Sequence, residues 1–527
     1  MALLVCSLSS TPVRAQEFDT ALKQLASEDF EAFSRAITTL GDTGDARALS
    51  LLQALDAGSL RIDAKGSVFI VEGGKTKPAL DGGAAPEGAL RSPPVNNVVR
   101  RVLGPALAKL QLSSPDRKVR LAAANELAKS TDAGAAPLLR QSIGKETDSE
   151  IESILSLALA KIDLNSEKPE VRIQALKVIE DDGTVALQSA VEGMLAKNSD
   201  GSYREPNGDV RAAAVSALGA INSKIFWVNL LANSLYGVSL GSVLVLAALG
   251  LAITFGLMRV INMAHGEMIM LGAYSTYVVQ NLFTDYLPEQ FDLYLIAALP
   301  VAFAVTALVG AGLERGVIRF LYGRPLETLL ATWGLSLMLI QAVRSVFGAQ
   351  NVTVANPQWL SGGWELLPNL VLPYSRIAVV LFVIVVVGFV YFLLQRTPLG
   401  LNVRAVTQNR EMAAGMGIAT RRVDTWTFAL GSGVAGLGGV ALSQLGNVGP
   451  ELGQGYIVDS FMVVVVGGVG NIAGTVAGAM GLGFLNKYLE PAFGAVLGKI
   501  LILALLILFI QKRPQGLFAL KGRAAEA

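Results

Sequence analysis

The sequence has little that could build a metal site or a disulfide, because Cys6 is its single cysteine and His265 its single histidine in 527 residues. One cysteine forms no intramolecular disulfide, and this pair does not supply the four ligands of a structural zinc site. Charge is scarce too: 16% of the residues are charged, against about 25% in an average soluble protein. The net charge of +1 comes from dispersed residues and gives no basis for nucleic-acid binding. The shortage of charge instead indicates a membrane protein.

The charge that is present is unevenly distributed along the chain. Residues 1–224 carry frequent Lys, Arg, Asp and Glu, whereas residues 226–258 carry none. A water-soluble domain at 17–224 is therefore predicted to precede a membrane domain at 225–520.

Residues 1–16, MALLVCSLSSTPVRAQ, combine an apolar stretch with small residues at Val13 and Ala15. This pattern predicts a cleavable signal peptide. The basic start of such signals is missing, which indicates a truncated or misassigned beginning. The alternatives are an ordinary chain terminus and a lipoprotein signal around Cys6.

The region 17–224 shows a weak internal repeat. VRLAAANEL at 119–127, VRIQALKVI at 171–179 and VRAAAVSAL at 210–218 each place an apolar residue, Ala and Leu or Ile on one helical stripe. The pattern resembles HEAT-like helical repeats with unequal spacing. A hairpin is predicted at 59–80 and a loop at 82–94. Such a domain would either hold a partner protein or stabilise the rest.

Apolar stretches long enough to cross a bilayer recur after Phe226. They are 226–257, 268–284, 293–313, 328–343, 377–395, 425–446, 460–486 and 493–511. We therefore predict an all-α, polytopic transmembrane bundle of about eight spans, preceded by an extracytoplasmic, mostly helical, HEAT-like domain.

The charges between the spans predict the orientation, because Lys and Arg near span ends favour the cytoplasm. Arginines cluster after the third and fifth spans, and the chain ends in a basic stretch. The loop at 284–292 is acidic. Residues 17–224 are therefore expected outside the cytoplasm and the tail at 521–527 inside.

The stretch 460–486 has to return to the side from which it starts, and its Gly-rich run at 467–471 predicts a hairpin or a re-entrant pair of half-helices. Small residues at every fourth position predict close helix crossing. These residues are Gly431, Ala435 and Gly439 in one ridge and Gly470, Gly474 and Gly478 in another.

The loop after the fifth span, within 397–436, carries the most specific functional pattern. A short amphipathic helix is predicted from Gln408 to Met416, ended by Gly415 and Gly417. A helix held below the membrane by two spans suits docking in a groove of a soluble partner, although an ordinary basic loop has a similar composition. The residues assigned to this coupling loop are Arg404, Gln408, Asn409, Arg410, Glu411, Ala413, Ala414, Gly415 and Gly417.

Four segments resemble the branched-chain amino-acid-type permease family of ABC importers, the LivH-like permeases. LNVRAVTQNREMAAGMGI resembles the coupling loop of that family, and VINMAHGEMIMLGAY resembles its INFAHGE…GAY segment. VVVVGGVGNIAGTVAGAMGLGFL and QKRPQGLF match as well, so the resemblance covers essentially all of 226–520.

The resemblance implies one permease subunit in a bacterial inner membrane. Its expected partners are a second, LivM-like permease, two cytoplasmic ATPases and an extracytoplasmic solute-binding protein. ATP is expected to be used by the ATPases, so no cofactor and no catalytic residue is expected in this chain; it contains no G-x-x-x-x-G-K-[ST] run. The long exported domain resembles the urea-importer permeases of the family, which implies urea as the solute. Branched-chain or other amino acids are the alternative, and a channel or secondary transporter with an extracellular sensor domain is the other.

A neutral solute such as urea needs hydrogen-bond donors and acceptors along its path. The polar residues within the spans are candidates, and each is alternatively an interhelical hydrogen bond. These candidates are Asn229, Asn233, Thr254, Gln341, Gln444 and Asn471.

The family-like motif consists of Asn262, His265, Gly266 and Glu267. An intramembrane hydrolase is disfavoured because H-G-E lacks the H-E-x-x-H spacing that places two ligands on one helix face. Polar groups inside membranes are usually paired. The motif is therefore predicted to be a His–Glu pair that fastens a helix turn near the cytoplasmic interface, with direct solute contact as the alternative.

Overall fold

The computed structural model describes residues 18–518, except 19, 28, 44–45, 64–66, 73–74, 80–88, 94, 130–132, 259 and 368–369. The predicted signal peptide, most of the loop at 82–94 and the tail at 521–527 lie outside the described residues. The chain divides into two compact units, Met1–Trp227 and Val228–Ala527.

The first unit is mainly helical. Its helices include α1 (Phe30–Thr43), α2 (Ala46–Asp56), α3 (Asn97–Gln111), α4 (Arg117–Lys129), α5 (Ala136–Ile143), α6 (Ser149–Asp163), α7 (Pro169–Asp182) and α8 (Gln188–Leu195). The unit also includes the start of α9 (Gly208–Met258). Local sequence explains several of the ends. Asp148 accepts hydrogen bonds from the amides of Glu150 and Ile151 at the start of α6, and Gly183 ends α7 in the left-handed conformation.

The repeated Val-Arg pairs take up the same local structure in all three copies. Arg120, Arg172 and Arg211 each donate from Nη1 to the carbonyl oxygens five and six residues earlier, at 2.6–3.2 Å. Arg120 and Arg172 also form ion pairs with Glu146 and Glu205, at 3.0 and 2.8 Å. Each arginine thus ties the start of its helix to the preceding turn. The HEAT-like classification stays a prediction.

The region predicted as a hairpin contains three strands rather than two. β1 (Leu60–Ile62), β2 (Val68–Glu72) and β3 (Lys75–Pro78) form an antiparallel sheet in the order β1-β2-β3. The additional strand is β1. Its Leu60 and Ile62 side chains are buried and the side chain of Arg61 between them is partly exposed, which anchors β1 on the helices. The prediction of a simple hairpin at 59–80 is therefore wrong in strand number.

The second unit is a bundle of long apolar helices with one small hairpin, β4 (Gly363–Leu367) and β5 (Leu370–Pro373). Its helices after α9 are α10 (His265–Tyr286), α11 (Tyr294–Gly316), α12 (Pro325–Phe347), α13 (Tyr374–Arg396), α14 (Pro398–Gln408), α15 (Arg410–Gly415), α16 (Thr420–Ser443), α17 (Leu452–Gly467) and α18 (Ile472–Lys512). Among the described residues, six helices are long and apolar enough to cross a membrane. They are α9, the segment Pro288–Gly316 that consists of a short 3-10 helix and α11, and then α12, α13, α16 and α18. The chain is thus a polytopic helical membrane protein, and the count of eight spans stays a prediction.

The stretch predicted as one span at 460–486 is divided between two helices. α17 ends at Gly467 and α18 begins at Ile472, and Gly468 and Gly470 between them have φ values of 100° and 84°. Positive φ favours glycine and interrupts a helix. The break proposed at 467–471 is therefore present, but each half belongs to a longer helix.

α18 reverses direction at Gly494, where φ is 77° and ψ is 166°. A Cβ built on Gly498 would lie 3.8 Å from the backbone of Leu489 and Glu490. In an uninterrupted helix, residues eight positions apart lie about 12 Å apart along the axis. The two parts of α18 therefore run antiparallel, with the reversal just after the start of the predicted stretch 493–511.

α16 is the central helix of the second unit, with all side chains from Phe428 to Ser443 buried except Leu437. Its small residues allow close approach. A Cβ on Gly431 would lie 2.8 Å from the carbonyl oxygen of Gly250 in α9, and one on Gly439 would crowd the backbone of α10. A helix crossing at this distance leaves no room for larger side chains.

The second predicted ridge lies where α17 meets α18. A Cβ on Gly478 would lie 2.8 Å from the carbonyl oxygen of Val463, and one on Gly474 would lie 2.8 Å from the carbonyl carbon of Gly467. Gly470 lies in the turn itself, and its Cβ would be 3.3 Å from the carbonyl oxygen of Gly256 in α9. This ridge therefore packs the α17–α18 turn rather than one straight helix face.

Candidate functional site: the helix turn at 260–267 and the α14–α15 loop

His265 is the first residue of α10 and its side chain is fully buried. Its Nε2 lies 2.8 Å from the carbonyl oxygen of Ala247 in α9. A carbonyl only accepts, so Nε2 carries the proton and Nδ1 does not. His265 thus ties the start of α10 to the last quarter of α9.

Glu267 is 2% exposed and bonds to a different helix. The hydroxyl of Ser336 in α12 donates to its Oε1 over 2.7 Å. One turn earlier in α12, the hydroxyl of Thr332 accepts from the amide of Met263 at 3.1 Å. A buried polar edge of α12 therefore lies along the turn that precedes α10.

The prediction of a His–Glu pair is therefore wrong. Alternate positions at the start of a helix point about 200° apart, so His265 faces α9 while Glu267 faces α12. Ala247 lies eleven residues before the end of α9, about 16 Å along its axis. The position of the motif near the cytoplasmic interface stays a prediction.

The other two motif residues shape the turn. Asn262 is 1% exposed and its Oδ1 accepts from the amide of Ala264 at 3.1 Å. A Cβ on Gly266 would lie 2.6 Å from the carbonyl oxygen of Gly453 at the start of α17. Within the described residues, Asn262 Nδ2 and His265 Nδ1 are buried without a hydrogen-bond partner.

The six candidate solute-path residues form no hydrogen bond with one another in the described part of the chain. Asn229 and Gln341 are exposed, and Asn233 is half-buried. Thr254 is fully buried and donates to carbonyl oxygens of its own helix, 3.3 Å away. Asn471 caps the start of α18, where its Oδ1 accepts from the amide of Gly474 at 3.1 Å. These residues thus serve local structure or face outward.

Gln444 is the exception, because it belongs to a polar cluster where α16 ends. Its Oε1 lies 3.2 Å from the hydroxyl of Tyr294, which donates to the carbonyl oxygen of Ala355 at 2.6 Å. The amide of Ala355 donates in turn to Gln280 Oε1 at 2.7 Å. This cluster joins α10, α11 and α16 to the loop that follows α12. Of its members, only Gln444 was a candidate from the sequence.

The loop between α13 and α16 folds into two short helices. The helix predicted at 408–416 begins at Arg410, because Asn409 is its N-cap and accepts from the amide of Met412 at 2.9 Å. Gly417 ends it with a φ of 85°. The amides of Gly417 and Ile418 donate to Ala414 and Ala413, at 3.0 and 3.1 Å, in a Schellman-type end.

α15 presents most of its surface outward. Ala413 is its buried residue, whereas Arg410, Glu411, Ala414 and Gly415 are exposed. Met412 and Met416 are 64% and 81% exposed on adjacent turns. These two methionines, which the sequence analysis did not single out, form an exposed apolar pair; flexible methionines suit adaptable protein contacts.

Arg404 and Gln408 lie in α14, apart from the exposed methionines. Arg404 donates to the carbonyl oxygen of Leu394 and to Gln395 Oε1, so it caps the end of α13. Gln408 is exposed. Thr407, next to it, donates to the carbonyl oxygen of Leu257 at 2.9 Å and ties α14 to the end of α9. The loop is thus held by both α9 and α13.

Two buried carboxylates near this loop were not marked by any sequence pattern. Asp424, in the first turns of α16, is 3% exposed, and Glu314, near the end of α11, is fully buried. Their positions show no periodic or motif signal, because each depends on contacts between distant segments. Among the described residues, no group of three or more His, Cys, Asp or Glu side chains is arranged to hold a metal ion.

The sequence matches that of known transport proteins over most of the second unit. Residues 233–510 match the family described as branched-chain amino acid transport system / permease component. The permease BraD of the high-affinity branched-chain amino acid transport system of Pseudomonas aeruginosa is 28% identical over 287 residues, which cover 53% of this chain and 93% of BraD. LivH of Escherichia coli is 27% identical over 286 residues, 53% of this chain and 92% of LivH.

A third relative gives the same result. The probable LivH of Methanocaldococcus jannaschii is 28% identical over 299 residues, 52% of this chain and 88% of that protein. The family match itself covers more than half of the chain and includes the helix turn and the α14–α15 loop. This chain therefore belongs to the branched-chain amino acid-type permease family of ABC transporters.

Proposed function

We propose that this chain is the inner-membrane permease subunit of an ABC importer that forms half of a solute path and is driven by cytoplasmic ATPases. A second, LivM-like permease would complete the path, and an extracytoplasmic binding protein would deliver the solute. ATP would be hydrolysed by the two ATPase subunits. The observation that carries this proposal is α15, a six-residue helix with two exposed methionines, Met412 within it and Met416 directly after it.

α15 has the properties expected of a docking element. Its two methionines, Met412 and Met416, are exposed. The helix is fixed at its start by the side-chain cap of Asn409 and at its end by Gly417. The segment is tied to α9 through Thr407 and to α16 through Arg410. A partner that moves α15 would therefore move transmembrane helices directly.

The proposed orientation places the first unit outside the cytoplasm and α15 inside. The arginines of the loop between α13 and α16 favour the cytoplasm. The breaks at 467–471 and at Gly494 support this arrangement, because three passes in 452–512 return the chain end to the side of α15.

Urea is the proposed solute. BraD of Pseudomonas aeruginosa and LivH of Escherichia coli are covered to 93% and 92% of their length, which leaves no room in them for a counterpart of residues 17–224. The resemblance to urea-importer permeases, on which this proposal rests, lies in that extra unit. Branched-chain amino acids are the second candidate, since the matched relatives are named as permeases for them.

The deciding experiment is uptake by proteoliposomes that contain both permeases, both ATPases and the binding protein. We expect uptake of labelled urea only when ATP is present on the side of the membrane that α15 faces. Uptake by this chain alone, without ATPases, would refute the ABC mechanism and favour a channel or secondary transporter.

Competition identifies the solute. Unlabelled urea should suppress uptake of labelled urea, whereas leucine in equal excess should not. The opposite result, with leucine transported and urea inert, would assign this chain to amino acids and leave the ABC mechanism intact.

A further inference from the structure

Six polar residues connect α15 to the ends of two long helices. Glu314 lies near the end of α11, and Arg319 and Tyr322 lie between α11 and α12. Arg410 begins α15, and Asp424 and Thr425 lie in the second turn of α16. We call this set the Glu314–Asp424 network; its members are Glu314, Arg319, Tyr322, Arg410, Asp424 and Thr425.

Glu314 is the buried centre of the network. Its Oε2 accepts from the hydroxyl of Thr425 at 2.7 Å and from Nη2 of Arg319 at 3.0 Å. Its Oε1 accepts from the hydroxyl of Tyr322 at 3.3 Å. A fully buried carboxylate is tolerated only when it is paired and hydrogen-bonded in this way. Glu314 thus fixes α11 to α16.

Asp424 depends on α15 for its charge partner. Both guanidinium η-nitrogens of Arg410 donate to its two carboxylate oxygens, one of them over 3.3 Å. The side chain of Asp424 is 4% exposed, whereas that of Arg410 is 46% exposed. If α15 moved away alone, Arg410 would gain water but Asp424 would be left buried and unpaired, which is costly.

Tyr322 joins the two carboxylates. The guanidinium of Arg410 lies over its ring, 5.1 Å from the centroid, while its hydroxyl bonds to Glu314. Burial, and then the charges of Asp424 and Glu314, raise the pKa of Tyr322 above its ordinary value. The hydrogen bond with Glu314 raises the pKa of Arg319 as well. The phenol therefore stays a proton donor and the guanidinium stays charged.

We propose that Asp424 and Glu314 are positioning residues that make α15, the end of α11 and the start of α16 move as one body. This inference rests on the proposed docking of ATPases at α15. When the ATPases displace α15, the Arg410–Asp424 pair pulls on α16, and the bonds from Thr425 and Tyr322 to Glu314 carry the shift to α11. Without these pairs, α15 would move while the helices stayed behind.

The test uses the complete importer reconstituted in proteoliposomes, with solute uptake and ATP hydrolysis measured on the same sample. Asp424→Asn and Glu314→Gln remove a charge at nearly constant shape. We expect ATP hydrolysis close to that of the unchanged protein, and uptake per ATP reduced by about tenfold, within the usual range of coupling between sites. A merely structural defect would lower both quantities together.

Glu451→Gln is the matched control, because it removes the ion pair of Glu451 with Arg344, a pair remote from α15 in sequence. It should leave uptake per ATP unchanged. An unchanged ratio in Asp424→Asn and Glu314→Gln would overturn the inference while ATP-driven uptake still stood. Loss of ATP dependence in the unchanged protein would instead refute the proposed function.

Arg410 provides a second series if a carboxylate variant does not assemble. Arg410→Lys keeps a charge near Asp424, whereas Arg410→Gln removes it. Uptake per ATP should fall more in Arg410→Gln than in Arg410→Lys. Equal ratios in both variants and in the unchanged protein would overturn the inference.

Discussion

The Nε2 of His265 bonds to the carbonyl oxygen of Ala247, 2.8 Å away across the contact between α10 and α9. The bond joins residues eighteen positions apart through a turn that spans 260–264. It accounts for the single histidine of the chain as a structural donor with one defined tautomer.

His265→Ala should therefore destabilise the second unit. Loss of the hydrogen bond and the space left by the ring should cost about 2–4 kcal/mol. His265→Gln can place an amide donor near the position of Nε2 and should lose less. Thermal unfolding of the detergent-solubilised protein measures both, and equal stability of His265→Ala and the unchanged protein would contradict this role.

The crossing of α10 and α16 predicts a steric effect at Gly272. A Cβ there would lie 2.6 Å from both the carbonyl carbon and the Cα of Gly436. Gly272→Ala should force the helices apart and destabilise the protein by about 1–3 kcal/mol or more.

Gly334→Ala in α12 is the matched control, because nothing lies within 4 Å of its Cβ position. It should be neutral or slightly stabilising, since alanine favours a helix over glycine. Size-exclusion profiles and unfolding temperatures of both variants compare the two sites. Similar behaviour of the two would show that the crossing is not tight.

The end of α15 predicts a conformational effect on transport. Gly417 has a φ of 85° and its amide donates to Ala414. Proline fixes φ near −65°, far from this value, and has no amide proton to donate to Ala414. Gly417→Pro should therefore impair ATP-driven uptake while binding of the solute-binding protein is retained.

Two further variants sharpen this prediction. Gly415→Ala, which has open space at its Cβ and no positive φ, should transport normally. Glu411→Lys reverses an exposed charge in the first turn of α15, where the helix dipole favours an acid, and should impair uptake. Normal uptake by both Gly417→Pro and Glu411→Lys would remove α15 as the transmission element.

The first unit should lose stability in acid. Hydrogen bonding to Arg120 lowers the pKa of Glu146, and the bond to Arg117 lowers that of Asp148. A lowered folded-state pKa contributes stability that is present above the unfolded value, about 4.3 for Glu, and is lost as the pH falls through the folded value.

Hydrogen exchange of the amides in α4 and α6 measures this effect in the full chain. Protection should be greatest above pH 5, where both carboxylates are ionised, and should decline as they protonate. Glu146→Gln should lower protection at neutral pH and show a smaller decline in acid. A variant with the same pH dependence as the unchanged protein would contradict the assignment to Glu146.

The sequence alone determined those features that depend on composition and local spacing. The lack of charge in 226–258 marked the membrane unit, and the Val-Arg repeats marked equivalent helix starts. The glycine run at 467–471 and Gly417 marked chain turns, because glycine adopts positive φ more readily than other residues. The family motifs marked both the helix turn and the α14–α15 loop.

Only the tertiary structure decided which polar groups meet. His265 and Glu267 lie two positions apart in sequence but bond to different helices, because side chains two positions apart in a helix point about 200° apart. Glu314 and Asp424 lie 110 positions apart and meet through Tyr322 and Arg410. Such contacts depend on helix packing over the whole bundle, which no local spacing in the chain records.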